Sequence, residues 1–324
     1  MNRYTHLTIE EREKSRVLKE QGFKIRAIAR ILNRSASTLS REFKRNQYKN
    51  GEYAAHHAQK LYEKRKRRCG RKSKLYDGKI KAYVLQGLLK RWTPEQIAGR
   101  AKLENQPFSL SFITIYRAID NGVLPKQLKK IMRFKWKYKK KKVVEERRGK
   151  IPDTISIHVR PKAANDRTEP GHWESDTVLG KRRTGCLGTH VERMTGVLVA
   201  FYLSDRKDNA FNAATVKAFE NMPSQIKKSF TTDNGKEFAH HRELSQETGM
   251  NIYFCDPHSP WQRGTNENTN GLLRQFFPKG TSLSKVSEEE LNAVINLINN
   301  RPRKRLGFKT PIETLNSILH KCCT

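Results

Sequence analysis

The sequence predicts a multidomain chain, all-α on its N-terminal side and mixed α/β on its C-terminal side. Three observations lead there. Helix-capping signatures followed by apolar residues at helical spacing recur through residues 8–122. From about residue 153 the pattern changes to short alternating segments bounded by turn residues. Charge is also divided unevenly: residues 1–150 carry 42 Lys and Arg against 13 Asp and Glu, whereas 151–324 carry 24 against 19. A strongly basic half joined to a nearly balanced one is the footprint of a polyanion-binding region attached to a separate working domain.

Composition excludes several classes. No apolar stretch approaches the ~18 residues of a membrane span, and the polar start Met-Asn-Arg-Tyr-Thr-His carries no signal-peptide core. The cysteines (Cys69, Cys186, Cys255, Cys322, Cys323) are odd in number and form no Cys-x-x-Cys, which argues against a zinc ribbon or a disulfide scaffold. The expectation is a protein of the reducing cytoplasm, associated with the nucleoid and not with a membrane.

Thr8-Ile9-Glu10-Glu11 is a capping box, opening a helix that runs to Gly22. Phe23, Ile25, Ile28, Ala29 and Leu32 outline a second short helix. Asn33-Arg34 turns the chain, and Ser35 caps a third helix through Lys44. Two short helices crossing at a small residue, Ala29, fit a helix-turn-helix. The third helix would read the DNA major groove, with Ser37, Thr38 and Arg41 on bases and Lys44 and Arg45 on phosphates. The competing reading is a plain three-helix bundle with a solvated basic face; the charge excess favours DNA. Thr93-Pro94 and Ser111 start two further helices that echo the first pair and predict a second helix-turn-helix, with Thr114 and Arg117 in its reading positions. The basic runs Lys64–Arg68 and Lys137–Lys142 are expected to be linkers or phosphate-tracking arms, and Phe134, Trp136 and Tyr138 either stack on bases or pack the linker.

In the balanced half, strands are expected at 173–179, 186–191, 197–203, 229–232 and 251–255, with helices at 209–222, 242–248 and 266–277. This order is β-β-β-α-β-α-β-α, a mixed α/β layer architecture. Asp176 lies on the first of these strands, Asp233 at the end of the fourth, and Glu267 at the start of the last helix. If the first and fourth strands lie side by side, three acids converge. Oxygen donors suit hard divalent cations, so the set reads as a site for two Mg²⁺ ions, with Mn²⁺ as a substitute, serving phosphoryl transfer on a nucleic acid. Arg274, two helical turns beyond Glu267, shares its face and is expected to hold phosphate. Each acid has a structural alternative. Asp233-Asn234-Gly235 is a strong turn signal; Glu174, two residues before Asp176, competes for the ligand role; and Glu267 could answer its helix dipole. Glu237 and Asp256 are further carboxylates near the proposed centre.

Gly171-His172-Trp173-Glu174-Ser175-Asp176, Thr232 through Glu237, and Asp256-Pro257-His258-Ser259-Pro260-Trp261-Gln262-Arg263-Gly264-Thr265-Asn266-Glu267-Asn268 together resemble the insertion sequence thirty family of bacterial transposases. So do Asn300 through Pro311 and the start from Tyr4 to Glu42. The resemblance covers nearly the whole chain. It implies a helix-turn-helix region followed by an α/β ribonuclease-H-like, integrase-type catalytic domain. It further implies an Asp-Asp-Glu triad of Asp176, Asp233 and Glu267, the last two separated by 33 residues. The implied activity is Mg²⁺-dependent cleavage at the element's terminal inverted repeats and transfer of the freed 3′-OH into target DNA. His258 and Lys236, in the same motifs, are taken with Arg274 as phosphate contacts. The chain departs from the family pattern at Ser175, where Gly is expected and a serine would crowd the strand beside Asp176.

The expected organisation is a helix-turn-helix domain at 1–50, a basic linker or helix at 51–85 and a second helix-turn-helix-like domain at 86–132. A basic linker at 133–160 and the catalytic domain with its helical tail at 161–324 complete it. The expected partners are double-stranded DNA and further copies of the chain, a dimer or larger, since two element ends must meet. The rival readings are an inactive repressor occupying the same repeats and a metal nuclease that hydrolyses without joining.

Overall fold

Capping chemistry sets the helices of the N-terminal unit. In the computed structural model, which describes residues 5–69, 72–132, 151–204 and 208–322, Thr8 and Glu11 exchange both capping-box hydrogen bonds (3.2 and 2.7 Å) at the start of α1 (Ile9–Glu20). Helix α2 (Ile25–Ile31) follows, then a turn through Asn33 at φ 49°, and α3 (Ala36–Asn46), capped by Ser35. Leu7, Ile28, Ala29, Leu39 and Phe43 form their core.

Within the segment expected to be a basic linker or helix, a helix forms. Helix α4 (Ala55–Arg68) packs on α1, and Tyr53 and Ala58 join the same core. Arg12, 2% exposed, ties the unit together: it donates to Glu42 on α3 (2.9 Å) and to the Leu7 carbonyl (2.7 Å), and Glu42 accepts from the Tyr53 hydroxyl. Lys64–Arg68 forms the last turn of α4, where positive charge meets the helix's unpaired carbonyls. The chain divides after this helix, into units Met1–Lys72 and Ser73–Thr324.

The second unit begins with four helices: α5 (Gly78–Leu89), α6 (Pro94–Leu103), α7 (Phe112–Asp120) and α8 (Leu128–Ile131). The Thr93–Gln96 capping box and the Ser111 cap stand where the sequence puts them. The boundary expected between 85 and 86 falls inside α5, whose Ile80, Val84 and Leu88 pack with Ile97, Ile115 and Ile119 in one core.

A six-stranded sheet follows, built from β1 (Ile155–Ser156), β2 (His172–Leu179), β3 (Cys186–Glu192), β4 (Leu198–Leu203), β5 (Ser229–Thr232) and β6 (Asn251–Phe254). Its order is β1-β6-β5-β2-β3-β4. Strands β2, β3 and β4 form an antiparallel meander, while β5 and β6 run parallel to β2. The short β1 pairs with the edge of β6, so the stretch expected to be a linker up to residue 160 already belongs to the sheet from Ile155 on. The intervening helices are α9 (Lys162–Asp166), α10 (Asp208–Phe219), α11 (His241–Thr248), α12 (Gly264–Leu273), α13 (Glu288–Asn299) and α14 (Pro311–Cys322).

Strand alternation divides β2 between the two faces of the sheet. Trp173 packs with Phe211, Phe219 and Phe230 under α10. Val178 packs with Leu272, Leu273 and Val294 under α12 and α13. Glu174 and Asp176 share the parity of Val178, and so lie on the α12 face. The run Lys137–Lys142 and the aromatics Phe134, Trp136 and Tyr138 lie outside the described residues.

Candidate active site

Strand register places the two aspartates. In the parallel β2–β5 pair, Glu174 stands opposite Thr231. Two residues further on, Asp176 and Asp233 reach the same level and the same side, on neighbouring strands ~4.8 Å apart. Asp233 has just left the carboxyl end of β5, the end at which open α/β sheets gather their ligands.

Arg263 joins them. Its guanidinium donates to Asp233 Oδ2 (2.9 Å) and to the Ser175 carbonyl (2.8 Å), and lies 3.2 Å from Asp176 Oδ1. The Asp176 carboxyl is pushed above the usual carboxylate range by burial, with Arg263 opposing the shift and Asp233 adding to it. Burial weighs against the Arg263 charge, yet the two aspartates outweigh it and hold the guanidinium more firmly protonated than usual. Sequence reasoning missed Arg263. The available signal was its position four residues before Glu267, one helical turn away.

Helix α12 supplies the rest. Asn270 donates to Asp176 Oδ2 (3.0 Å) and Asn266 donates to the Glu174 carbonyl (2.7 Å). Glu267 is exposed, one turn along from Arg263 and within a turn of Asn270, so it lies between two residues that touch Asp176. Among the described residues, no three His, Cys, Asp or Glu side chains stand together as a metal cluster. Asp176 and Asp233 are thus gathered on one cation, the guanidinium, while Glu267 on α12 is exposed.

The competing carboxylates have other work. Glu174 is fully buried, paired with Arg193, and accepts from the Asn266 backbone N–H (2.8 Å) at the start of α12. It anchors the helix to the strand. Glu237 accepts from the Thr177 hydroxyl (2.9 Å). Asp256 accepts from Gln262 Nε2 (2.7 Å) and faces His158 Nε2 at 2.9 Å. The Asp233–Gly235 segment is a turn as well as a site: the Gly235 N–H donates to Asp233 Oδ1 (2.9 Å). A Cβ on Gly235 would come within 2.8 Å of that oxygen and 2.7 Å of Glu237, so a larger residue there would push these carboxylates aside.

Ser175 does not crowd its strand. It stands opposite His190 in the β2–β3 register, and its hydroxyl meets His190 Nδ1 at 2.7 Å, while His190 Nε2 meets Thr215 at 3.0 Å. Phe201, Phe211, Phe219 and Phe230 surround this imidazole, whose pKa burial pushes down to about 3. The serine fills a polar position in an otherwise aromatic core.

The expected phosphate contacts separate. His258, at φ 58°, lines a cavity of about 200 Å³ with Asp233, Asn234, Asp256, Pro260 and Arg263. Lys236 is exposed just beyond the Asp233 turn. Arg274 instead donates to the Leu179 carbonyl at the end of β2 (2.7 Å), half-buried. In the N-terminal unit Ser37, Arg41, Lys44 and Arg45 are exposed on α3 and Thr38 is half-buried; Arg41 donates to the Ser37 carbonyl (3.0 Å). On α7, Arg117 is exposed and Thr114 half-buried. Helix α6, its neighbour, docks on the C-terminal segment. Arg100 holds Glu313 through two bonds (2.7 and 2.6 Å), Gln96 donates to the Pro302 carbonyl (2.7 Å), and Phe308 covers Gly99.

Residues 3–46 match the model of a helix-turn-helix domain, and residues 166–260 match that of an integrase core domain. The transposase for insertion sequence element IS1086 of Cupriavidus metallidurans is 40% identical over 325 residues, covering 98% of this chain and 96% of that protein. The chain belongs to this family of insertion-sequence transposases. A second relative of this transposase chain, InsI for insertion sequence element IS30C of Escherichia coli, is 38% identical over 96% of the chain and 83% of its own length. Among solved structures, the catalytic core domain of BIV integrase aligns with 48% of this chain and 99% of its own at 17% identity and a TM-score of 0.37. The transposase thus has an N-terminal helix-turn-helix unit and a ribonuclease-H-like integrase core, and no helix among its described residues is long and apolar enough to cross a membrane.

Proposed function

We propose that this transposase binds the terminal inverted repeats of its element, cleaves there and joins the freed 3′-OH to target DNA, with Asp176, Asp233 and Glu267 as the catalytic acids. The observation that carries the proposal is the convergence of Asp176 and Asp233 on one guanidinium. Two carboxylates that already share a cation at the carboxyl end of a parallel strand pair are an oxygen-donor set suited to Mg²⁺ or Mn²⁺. Glu267, exposed on the adjoining helix, is the third donor. A pair of such ions would activate the attacking oxygen and stabilise the leaving one.

The chain's own residues do the positioning. Glu174 and Asn266 fix α12 against β2, and Asn270 orients the Asp176 carboxylate. His258 and Arg263 line the cavity next to Asp233, where a DNA phosphate would lie. Helix α3 reads the repeat through Ser37, Thr38 and Arg41, while Lys44 and Arg45 hold phosphates; Thr114 and Arg117 on α7 add contacts. The working form is a homo-oligomer on DNA in the cytoplasm, since two ends are joined in one event.

Metal-dependent nicking of a labelled repeat end tests this reading. Asp176→Asn and Asp233→Asn each abolish nicking and keep DNA affinity. Wild type that binds the repeat without nicking in Mg²⁺ or Mn²⁺ is instead a repressor.

A further inference from the structure

Trp261 is 73% exposed, more than any other large apolar side chain among the described residues. Leaving an indole in water forgoes burial that few side chains match. It sits in a single helical turn, Pro260–Arg263, whose other members are pinned. The Gln262 side chain accepts from the Asp256 backbone N–H (2.8 Å) and donates to the Asp256 carboxylate (2.7 Å). Arg263 is held by Ser175, Asp176 and Asp233. Pro260 fixes the start of the turn and lines the cavity beside Asp233. The indole is therefore presented by a rigid mount, two residues from the guanidinium that touches both aspartates.

We infer that Trp261 is a stacking platform for an unpaired nucleobase next to the phosphate that the cavity lined by His258 and Arg263 would take. The inference rests on the function proposed above. A flat π-face beside the cavity lined by His258 and Arg263, where the proposed function puts a DNA phosphate, calls for a ligand that brings a ring and a phosphate together. Bases inside a duplex are stacked on each other, so the platform selects bases already unstacked or drawn out at a DNA end. The partner is a frayed or single-stranded nucleotide, and Trp261 sorts open ends from closed duplex without reading sequence.

The probe is a duplex with a three-nucleotide single-stranded tail carrying 2-aminopurine, whose fluorescence falls when it stacks. The full chain is used, and overall binding is followed by anisotropy. Wild type quenches the tail and binds the tailed duplex more tightly than the blunt one. Trp261→Ala abolishes quenching and weakens binding of the tailed duplex by roughly 10-fold or more, with blunt-duplex affinity kept; Trp261→Phe restores part of both. Quenching that survives Trp261→Ala overturns the inference, as does wild type that binds the tailed duplex without quenching it. Wild type that binds neither duplex overturns the proposed function itself, a result distinguishable from a failure at Trp261.

Discussion

Replacing Arg263 with glutamine removes the positive charge that Asp176 and Asp233 share, and the consequences can be worked from the structure. The arginine side chain is only 12% exposed, against 27% for Asp176 and 39% for Asp233. Breaking a fully buried ion pair costs ~3–5 kcal/mol. The partial exposure of Asp233 admits screening water, which brings the expected loss to roughly 2–4 kcal/mol at neutral pH. The two carboxylates then face each other unshielded, and Asp176, already shifted upward by burial, takes up a proton more readily still. A carboxyl whose folded-state pKa is raised binds more protons folded than unfolded, so its stability contribution falls as pH rises through that pKa. Arg263→Gln should therefore gain on wild type as pH falls from 7.5 toward 5. A divalent cation should raise its melting temperature by more than it raises that of wild type. Thermal melts of both proteins at pH 7.5 and 5.5, with and without Mg²⁺, provide the assay. An Arg263→Gln protein within about 0.5 kcal/mol of wild type at both pH values, and indifferent to Mg²⁺, would refute the reasoning.

Further consequences can be measured by denaturant unfolding. Ser175→Gly strands the buried His190 Nδ1 and should cost about 2–3 kcal/mol, the unmet hydrogen bond plus glycine in a strand interior; a loss below ~0.5 kcal/mol would remove the serine's structural role. Because burial lowers the His190 pKa to about 3, the unfolded chain binds the extra proton first. This histidine's contribution is thus present above pH 6.5 and is lost below it at ~1.4 kcal/mol per pH unit, a slope that His190→Gln should lack. Glu313, lowered to about 2 by its hydrogen bonds from Arg100, contributes above pH 4.5 and loses this as pH falls toward 2. At 40% exposure the contribution is under ~1 kcal/mol, so Glu313→Gln should shift the midpoint only slightly while raising hydrogen exchange in α6. Glu174→Gln, which breaks the buried pair with Arg193, should cost ~3–5 kcal/mol, whereas a metal-ligand role for Glu174 would make the loss depend on Mg²⁺.

The sequence carries most of the fold because its signals are local. Thr8 with Glu11, Thr93 with Gln96, and the caps at Ser35 and Ser111 are side-chain to backbone bonds within one turn, and all of them form. The alternation of β2 and the sequence position of Asp233 anticipate the pairing that brings two acids level. What escaped are contacts of long range. The dense charge of α4 leaves linker and helix both open in the sequence; its packing on α1, with Ala58 in the N-terminal core, is the long-range contact that decides for the helix. β1 holds only two residues and exists through its pairing to β6. Arg274 keeps its helical spacing from Glu267, but the Leu179 carbonyl claims its guanidinium. Arg263 lay inside the most specific motif and went unassigned, since a cation among expected metal ligands becomes visible only when the two aspartates are seen to share it.

A strand-transfer assay in Mg²⁺ on a labelled inverted-repeat end, comparing wild type with Glu267→Gln, tests the central claim most directly. Joined products in wild type that vanish in the variant, with repeat binding retained, are what the account predicts. Joining that persists in Glu267→Gln would contradict the assignment of Glu267 as the third acid, and nicking without joining in wild type would make the chain a nuclease.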